Sequence, residues 1–457
     1  MTSKVSSEVH ETAGQLPPVR EPSLTYAWYV VSVLMVCYTL SFIDRQILSL
    51  LVGPIKHDLQ ISDTRIGLLQ GLAFALFYTT LGLPIGRLAD SLSRRNIIVA
   101  GVFFWSLMTA LCAVAKSFWS LFSARMGVGV GEATLSPSSF SLIADYFPRE
   151  RLGTALSVYS MGVFVGSGLA LIVGGQVVDA VTKLTSVTLP MIGSIAPWRL
   201  TFLLVGVPGI LIALLVYTVR EPMRRNLLRS ASGHVSRLSI REVLHQMGIR
   251  WQSVAGISLA LAFQSACNYS LLAWAPTFFI RVHHWTAGEA GLALGIIVLV
   301  MGCIGILAGG RLCDRWQGKG IHEAPLKVGA IGAIGAAILT PIAMSLPHAS
   351  WTIAALTPAL FFLSMPVGTS YASLQMIFPN QVRAQVSALF LLILSMGGLV
   401  LGPLAPGLFN DYLFKNPNMV GYSIALAIAI FAVSNGVLFR LTYRPYRRHY
   451  AMMRGDD

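Results

Sequence analysis

The chain has 457 residues, of which only 11% are Asp, Glu, Lys or Arg, with mean hydropathy +0.69 and a formal net charge of +14. A soluble chain of this size carries about 25% charged residues, so the composition excludes a soluble globular protein. The positive balance does not mark a nucleic-acid binder either, because about 24 of the 33 Lys and Arg fall on one side once membrane spans are laid out.

Residues 1–25 are polar and lack the apolar core of a secretory leader, which predicts a cytoplasmic tail. Twelve apolar stretches of about 20 residues follow, at roughly 26–51, 66–87, 96–115, 118–144, 153–178, 198–219, 252–280, 286–310, 327–346, 351–377, 384–409 and 420–441. They are continuous rather than alternating, which predicts helices and not barrel strands. They group into a bundle over 26–219, a basic linker over 220–250 and a second bundle over 251–444, with a cytoplasmic tail at 445–457. The linker carries Arg220, Arg224, Arg225, Arg229, Arg237, Arg241 and Arg250, with Leu, Ile and Val between them, as in an amphipathic helix on the inner membrane surface. An even number of spans puts both termini on one side, and the charge bias makes that side cytoplasmic. The expected location is the plasma membrane, the inner one in a bacterium.

Span 1 contains Asp44 and Arg45, and span 4 contains Arg125 and Glu132. Each mid-membrane charge costs at least ~2.5–3.5 kcal/mol, so the four need partners, water or a task. Counting along the helices puts Asp44 and Glu132 near mid-depth, and the seven-residue spacing puts Arg125 and Glu132 on one face. One reading is a compensated charge network that only locks the first half. The other is a proton-coupling site, with Glu132 as first choice and Asp44 as second, while Arg45 and Arg125 bind an anionic headgroup. The second half offers Gln264, Asn268 and Tyr269 in span 7 and Tyr371 in span 10, which either contact substrate or bond helix to helix.

No cofactor or metal motif is present. Cys37, Cys112, Cys267, Cys303 and Cys313 form no C-x-x-C pair and read as packing residues. Gly127, Gly129 and Gly131 lie inside a span with no preceding strand, so they thin a helix rather than bind a dinucleotide. No P-loop is available for ATP drive, and no H-E-x-x-H or G-x-S-x-G marks an enzyme. A monomer is expected.

The two halves share landmarks. Gly86-Arg87-Leu88-Ala89-Asp90 ends span 2, and Gly310-Arg311-Leu312-Cys313-Asp314 ends span 8. Phe147-Pro148 ends span 4 and Phe378-Pro379 ends span 10; glycines crowd spans 5 and 11. Duplicated halves imply pseudo-two-fold symmetry with a substrate site between them near mid-membrane.

Gly86, Asp90, Arg94 and Arg95 resemble the signature loop of the major facilitator superfamily, with Ser91 where a basic residue is usual. The second copy keeps Asp314-Arg315 and then runs Trp316-Gln317-Gly318. The resemblance implies an all-α membrane fold of two six-helix bundles. It also implies a latch in which Asp90 faces the start of span 11 and Arg94 or Arg95 meets Asp145. Phe103-Phe104-Trp105-Ser106, Arg125 with Gly129-Val130-Gly131-Glu132-Ala133, Gly166-Ser167-Gly168-Leu169 and Trp274-Ala275-Pro276 are similar to the Spinster family of lipid transporters. That resemblance implies alternating access and an amphipathic, anionic lipid-like cargo of lysophospholipid or sphingolipid type, with protons as coupling ions and membrane lipids as surroundings. A proton-driven drug exporter or a small organic-anion symporter is the alternative within the same fold.

Overall fold

A computed structural model describes residues 23–184, 187–189, 193–222, 240–378, 386, 390 and 392–454. Span 1 is Leu24–Leu50, and span 2 is Leu72–Ser91, entered through a short helix, Asp63–Gln70. Span 3 is Arg94–Cys112, and span 4 is the pair Phe118–Glu132 and Leu135–Tyr146. Spans 5 and 6 are Arg149–Thr182 and Pro197–Tyr217, joined by an antiparallel hairpin of Val187–Leu189 with Gly193–Ile195. Spans 7, 8 and 9 are Trp251–Val282, Ala287–Gly318 and Ala324–Ser345. Span 10 is Ala349–Ser364 with Pro366–Met376, span 11 is Leu392–Phe414 and span 12 is Val420–Arg454.

Among the described residues, nine helices are long and apolar enough to cross a membrane. The remaining three spans are the second, fourth and seventh. Two of these hold the central polar residues: span 4 breaks directly after Glu132, and span 7 is diluted by Gln264 and Asn268. Of the linker, Ile240–Ile249 is helical, and 223–239 lie outside the described residues. Span 12 runs on past 444 to Arg454, through Pro445. Fully buried Tyr446 holds this extension by donating to the Ser373 carbonyl at 3.2 Å, and buried His449 meets the Ser253 hydroxyl at 2.8 Å.

The apolar core shows how the halves meet. Call the side bearing Arg94, Glu221 and Ile240–Ile249 the linker face, and the side bearing the connection between spans 1 and 2 the distal face. Toward the distal face one continuous cluster takes Leu50, Leu69 and Phe202 from the first half and Trp274, Phe278 and Ile424 from the second. Toward the linker face the core divides. Ile98, Leu142 and Tyr159 belong to one cluster, and Ile257, Phe378 and Phe439 to another, with Leu399 joining the first at mid-depth. Spans 5 and 8 pack against each other from residues 164 and 302 to residues 175 and 287.

Two glycines set the helix spacing that the central charges require. A Cβ on Gly129 would lie 2.4 Å from the Phe74 carbonyl oxygen, so only glycine lets span 4 approach span 2 this closely. A Cβ on Gly71 would lie 2.4 Å from the Leu399 carbonyl oxygen, which brings span 2 against span 11 across the halves. Span 11 answers with π-helical turns at Gly397–Leu401 and Phe409–Phe414, a form concentrated at functional sites.

Candidate functional site

Asp44 and Arg45 are consecutive on span 1, so their side chains leave the helix about 100° apart. That divergence gives them different surroundings. Arg45 turns toward the junction of the halves, where its Nε and Nη2 donate to Oε2 of Glu132 at 2.7 and 2.5 Å. The guanidinium lies over three aromatic rings, Phe42 at 4.9 Å, Phe74 at 4.4 Å and Tyr78 at 4.8 Å. Such contacts are worth about 0.5–2 kcal/mol each when desolvated. They keep the cation in place independently of its carboxylate.

Asp44 turns into the first half. It is 1% exposed, and neither carboxylate oxygen has a hydrogen-bond partner. Arg125, equally buried, donates from Nη1 to the Asp44 backbone carbonyl at 3.0 Å, and its Nε is unpaired. The four charges therefore form one direct ion pair, Arg45–Glu132, and one looser association, Arg125 with Asp44. Oε1 of Glu132 is also unpartnered. The seven-residue spacing leaves Arg125 two turns from Glu132 on span 4, and the base that reaches Glu132 is Arg45, from span 1.

Arg45 is the one of these four that lines the cavity between the halves. The cavity measures about 30 Å³, room for roughly one water. Gln46, Phe74 and Gln70 line it from the first half, and Tyr269, Leu272 and Leu399 from the second. It sits where the shared core gives way to two separate ones. Of the span 7 candidates Gln264, Asn268 and Tyr269, Tyr269 is the one that reaches this wall. Gln264 and Asn268 do not line the cavity. Gln264 donates to the Leu363 carbonyl at 2.7 Å and accepts from Asn435 at 2.5 Å, while Asn268 donates to the carbonyls of Gln264 and Leu363. In this conformation they tie span 7 to spans 10 and 12. The side chain of Tyr371 lies outside the described residues.

At the linker face Arg94, 2% exposed, is the hub. It pairs with Asp145, donates to Glu221 at 2.8 Å and reaches both oxygens of Ser141 at 3.0 and 3.1 Å. Spans 3, 4 and 6 are thus bound together within the first half. Burial pushes the Glu221 carboxyl up, but the Arg95 backbone N–H and the Arg94 guanidinium outweigh it and hold the group below its ordinary value. Glu221 was not among the sequence candidates; an isolated acid at the start of a basic linker was the available signal. Arg95 joins through its backbone alone, at 2.9 Å, and its guanidinium points elsewhere. Gly86 is not crowded, since a Cβ would meet only Pro137 at 3.9 Å. The Asp90 side chain and residues 379–385 ahead of span 11 lie outside the described residues. Asp314 and Arg315 are exposed and form no ion pair among the described residues.

The distal face is closed by a cluster that sequence reasoning did not single out. Asp63 receives Arg281 from span 7, Lys56 at 2.7 Å and Asn410 from span 11 at 2.5 Å. Asp411 accepts from the backbone N–H groups of Asp63 and Thr64 at 3.2 and 2.6 Å. It satisfies free donors at the start of a helix belonging to the other half. Deeper, Thr277 donates to the Ser49 carbonyl and Gln70 to the Ala273 carbonyl, both at 3.2 Å.

Two helical bundles meeting on one side, with buried charges at the apex, are the arrangement of a membrane transporter. Residues 34–403 match the Major Facilitator Superfamily model, and the chain belongs to that family. Within it the chain resembles the Spinster family. A solved bacterial homologue of the human lysosomal transporter Spinster, inward-facing and unoccupied, superposes with TM-score 0.78 at 27% identity over 94% of this chain and 99% of that one. An MFS-type efflux pump of Mycolicibacterium smegmatis is 27% identical over 92% of this chain and 94% of its own. The sphingosine-1-phosphate transporter SPNS2 of Xenopus tropicalis is 26% identical over 70% of this chain and 61% of its own. The protein is a multi-pass integral membrane transporter and not an enzyme.

Proposed function

We propose that this transporter moves an amphipathic, anionic lipid-like substrate of lysophospholipid or sphingolipid type by alternating access coupled to protons. The observation that carries the reading is the buried Arg45–Glu132 pair at the cavity wall, with unpartnered Asp44 behind it. An anionic headgroup entering the cavity competes with Glu132 for Arg45, which can bind it bidentately. Glu132, released in a dry site, takes up a proton. The aromatic rings hold Arg45 during the exchange, and Phe74, Leu272 and Leu399 offer apolar walls to a chain. Asp44, held by no direct ion pair, serves as a second proton carrier alongside Glu132, and Arg125 compensates its charge when ionised.

With the linker face cytoplasmic, the distal cluster is the outer closure and the cleft opens inward. Gly86, Asp90, Arg94, Arg95 and Asp145 form the first-half part of the inner latch, and Asp314 with Arg315 the second. Lipid cargo is supported by the similarity to Spinster-type proteins.

The test is transport of lysophospholipids and sphingoid phosphates into proteoliposomes, with and without a pH gradient. Substrate movement that is enhanced by the gradient and lost in Glu132→Gln supports the reading; transport indifferent to the gradient removes proton coupling. A second reading, export of a smaller drug-like or organic-anion cargo, is favoured by the small cavity and by the similarity to the mycobacterial efflux pump. Transport of such solutes with none of lipid would select it.

A further inference from the structure

Arg94 and Arg95 are adjacent, yet only Arg94 enters the buried ion-pair network. The Arg95 guanidinium turns outward onto the membrane-facing side of spans 3 and 6. Its Nε donates to Asn96 Oδ1 at 3.0 Å, its Nη1 reaches the Val219 carbonyl at 3.5 Å, and it stacks over the Tyr217 ring at 4.8 Å. These neighbours are neutral, and among the described residues no carboxylate lies within ion-pair distance of this guanidinium. The nearest acid, Glu221, contacts the Arg95 backbone N–H while receiving Arg94 and Ser93. Among the described residues, Arg95 is a cation held in place without a counter-ion.

Directly beside it lies a groove of about 420 Å³ between spans 3 and 6. Asn96 and Tyr217, the two side chains that hold Arg95, form its upper wall. Below them the walls are Val99, Ala100, Phe103 and Leu214. Phe103, Leu214 and neighbouring Val207 and Leu211 are exposed by 48–66%, an apolar surface that only lipid would cover in a membrane. A fixed cation at the mouth of an apolar groove, at the end of a span on the basic face, is the charge and shape complement of an anionic phospholipid.

We propose that this groove is a binding site for one anionic phospholipid of the linker-face leaflet, phosphate on Arg95 and one acyl chain along Ala100 and Phe103. The site is separate from the cavity between the halves. Because Arg94 and Arg95 share a turn with Ser93 and meet Glu221 together, an occupied groove braces the spans 3, 4 and 6 knot from outside.

The experiment is native mass spectrometry of the full chain released from vesicles of phosphatidylglycerol and phosphatidylcholine. Arg95→Gln removes the phosphate contact, and Ala100→Trp fills the groove at an exposed position. Each variant should retain one phosphatidylglycerol fewer than the wild type. Titration should show its apparent affinity at that site weakened about tenfold, the loss of one charge-assisted contact. Arg95→Lys should retain the lipid with intermediate affinity. An unchanged count in both Arg95→Gln and Ala100→Trp, with each variant monodisperse, overturns the proposal. So does equal retention of phosphatidylcholine, or stabilisation by inorganic phosphate alone to the same extent. Dimerisation of the wild type that Ala100→Trp abolishes with no change in lipid count would assign the groove to a second copy of the chain.

Discussion

Arg281 of span 7 grips both carboxylate oxygens of Asp63, at 2.8 Å each, across the boundary between the halves. The two residues are 218 positions apart, and the Asp63 side chain is fully buried. Removing one member of a buried pair costs about 3–5 kcal/mol, because the other charge is left uncompensated. Asp63→Ala should therefore lower thermal stability, and in membranes it should open the distal face. A cysteine placed at Ser49, behind the closure, should react with a membrane-impermeant thiol reagent several-fold faster than in the parent. Exchanging the charges, Asp63→Arg with Arg281→Asp, should restore part of the protection; no recovery would place the closure in Asn410 and Asp411 instead.

For the central pair the expected pattern is non-additive. Arg45→Ala strands Glu132 and should destabilise the protein by about 3–5 kcal/mol. The double change Arg45→Leu with Glu132→Leu removes both charges and should recover most of that stability while transport remains absent. Denaturation in detergent, compared among the three variants, reads the cycle directly. Additive losses would show that the pair does not act as one unit.

Asp44 and Glu132 should separate by substitution. Asp44→Asn removes the carboxylate beside buried Arg125 without breaking a direct ion pair, so the stability loss should stay below the about 3–5 kcal/mol of a broken buried pair. Glu132→Gln weakens the contact to Arg45 and should cost more. If protons enter through Asp44, the pH response of transport disappears in Asp44→Asn; its survival there and loss in Glu132→Gln assigns the step to Glu132.

The Glu221 knot predicts a pH effect on stability at the linker face. Its carboxyl is held below the ordinary value of 4.5 when folded. A depressed acid contributes in full above the unfolded value, and the contribution is lost as pH falls through the folded value. Melting temperature should decline below about pH 4.5, and Glu221→Gln should be less stable at neutral pH and flatter across that range. An unchanged slope in the variant would move the acid sensitivity to another carboxylate.

Much of the architecture was legible because span length and apolarity are local properties. Repeated landmarks such as Gly86 to Asp90 and Gly310 to Asp314 made the duplication visible as well. Pairing across helices was not legible. Glu132 looked free of a base on its own helix, yet Arg45 reaches it from 87 positions away. Gln264 and Asn268 read equally well as substrate contacts or helix bonds; only the positions of Leu363 and Asn435 distinguish the two. The distal cluster escaped notice because Asp63, Arg281 and Asp411 lie at span ends, where charged residues are ordinary. The extension of span 12 escaped because Pro445 looks like a terminator, whereas burial of Tyr446 holds the helix beyond it.

The unequal core has a thermal consequence. In this conformation the halves share apolar surface near the distal face and hold separate cores near the linker face. Rocking to the opposite arrangement exchanges one buried interface for another whose size and polarity differ. Apolar burial carries a heat-capacity change and gains strength on warming from low temperature. The two arrangements should therefore differ in heat capacity, and their populations should drift with temperature along a curve rather than a straight van't Hoff line. The distal-closed form, with one apolar cluster shared by both halves, is the one that warming should favour.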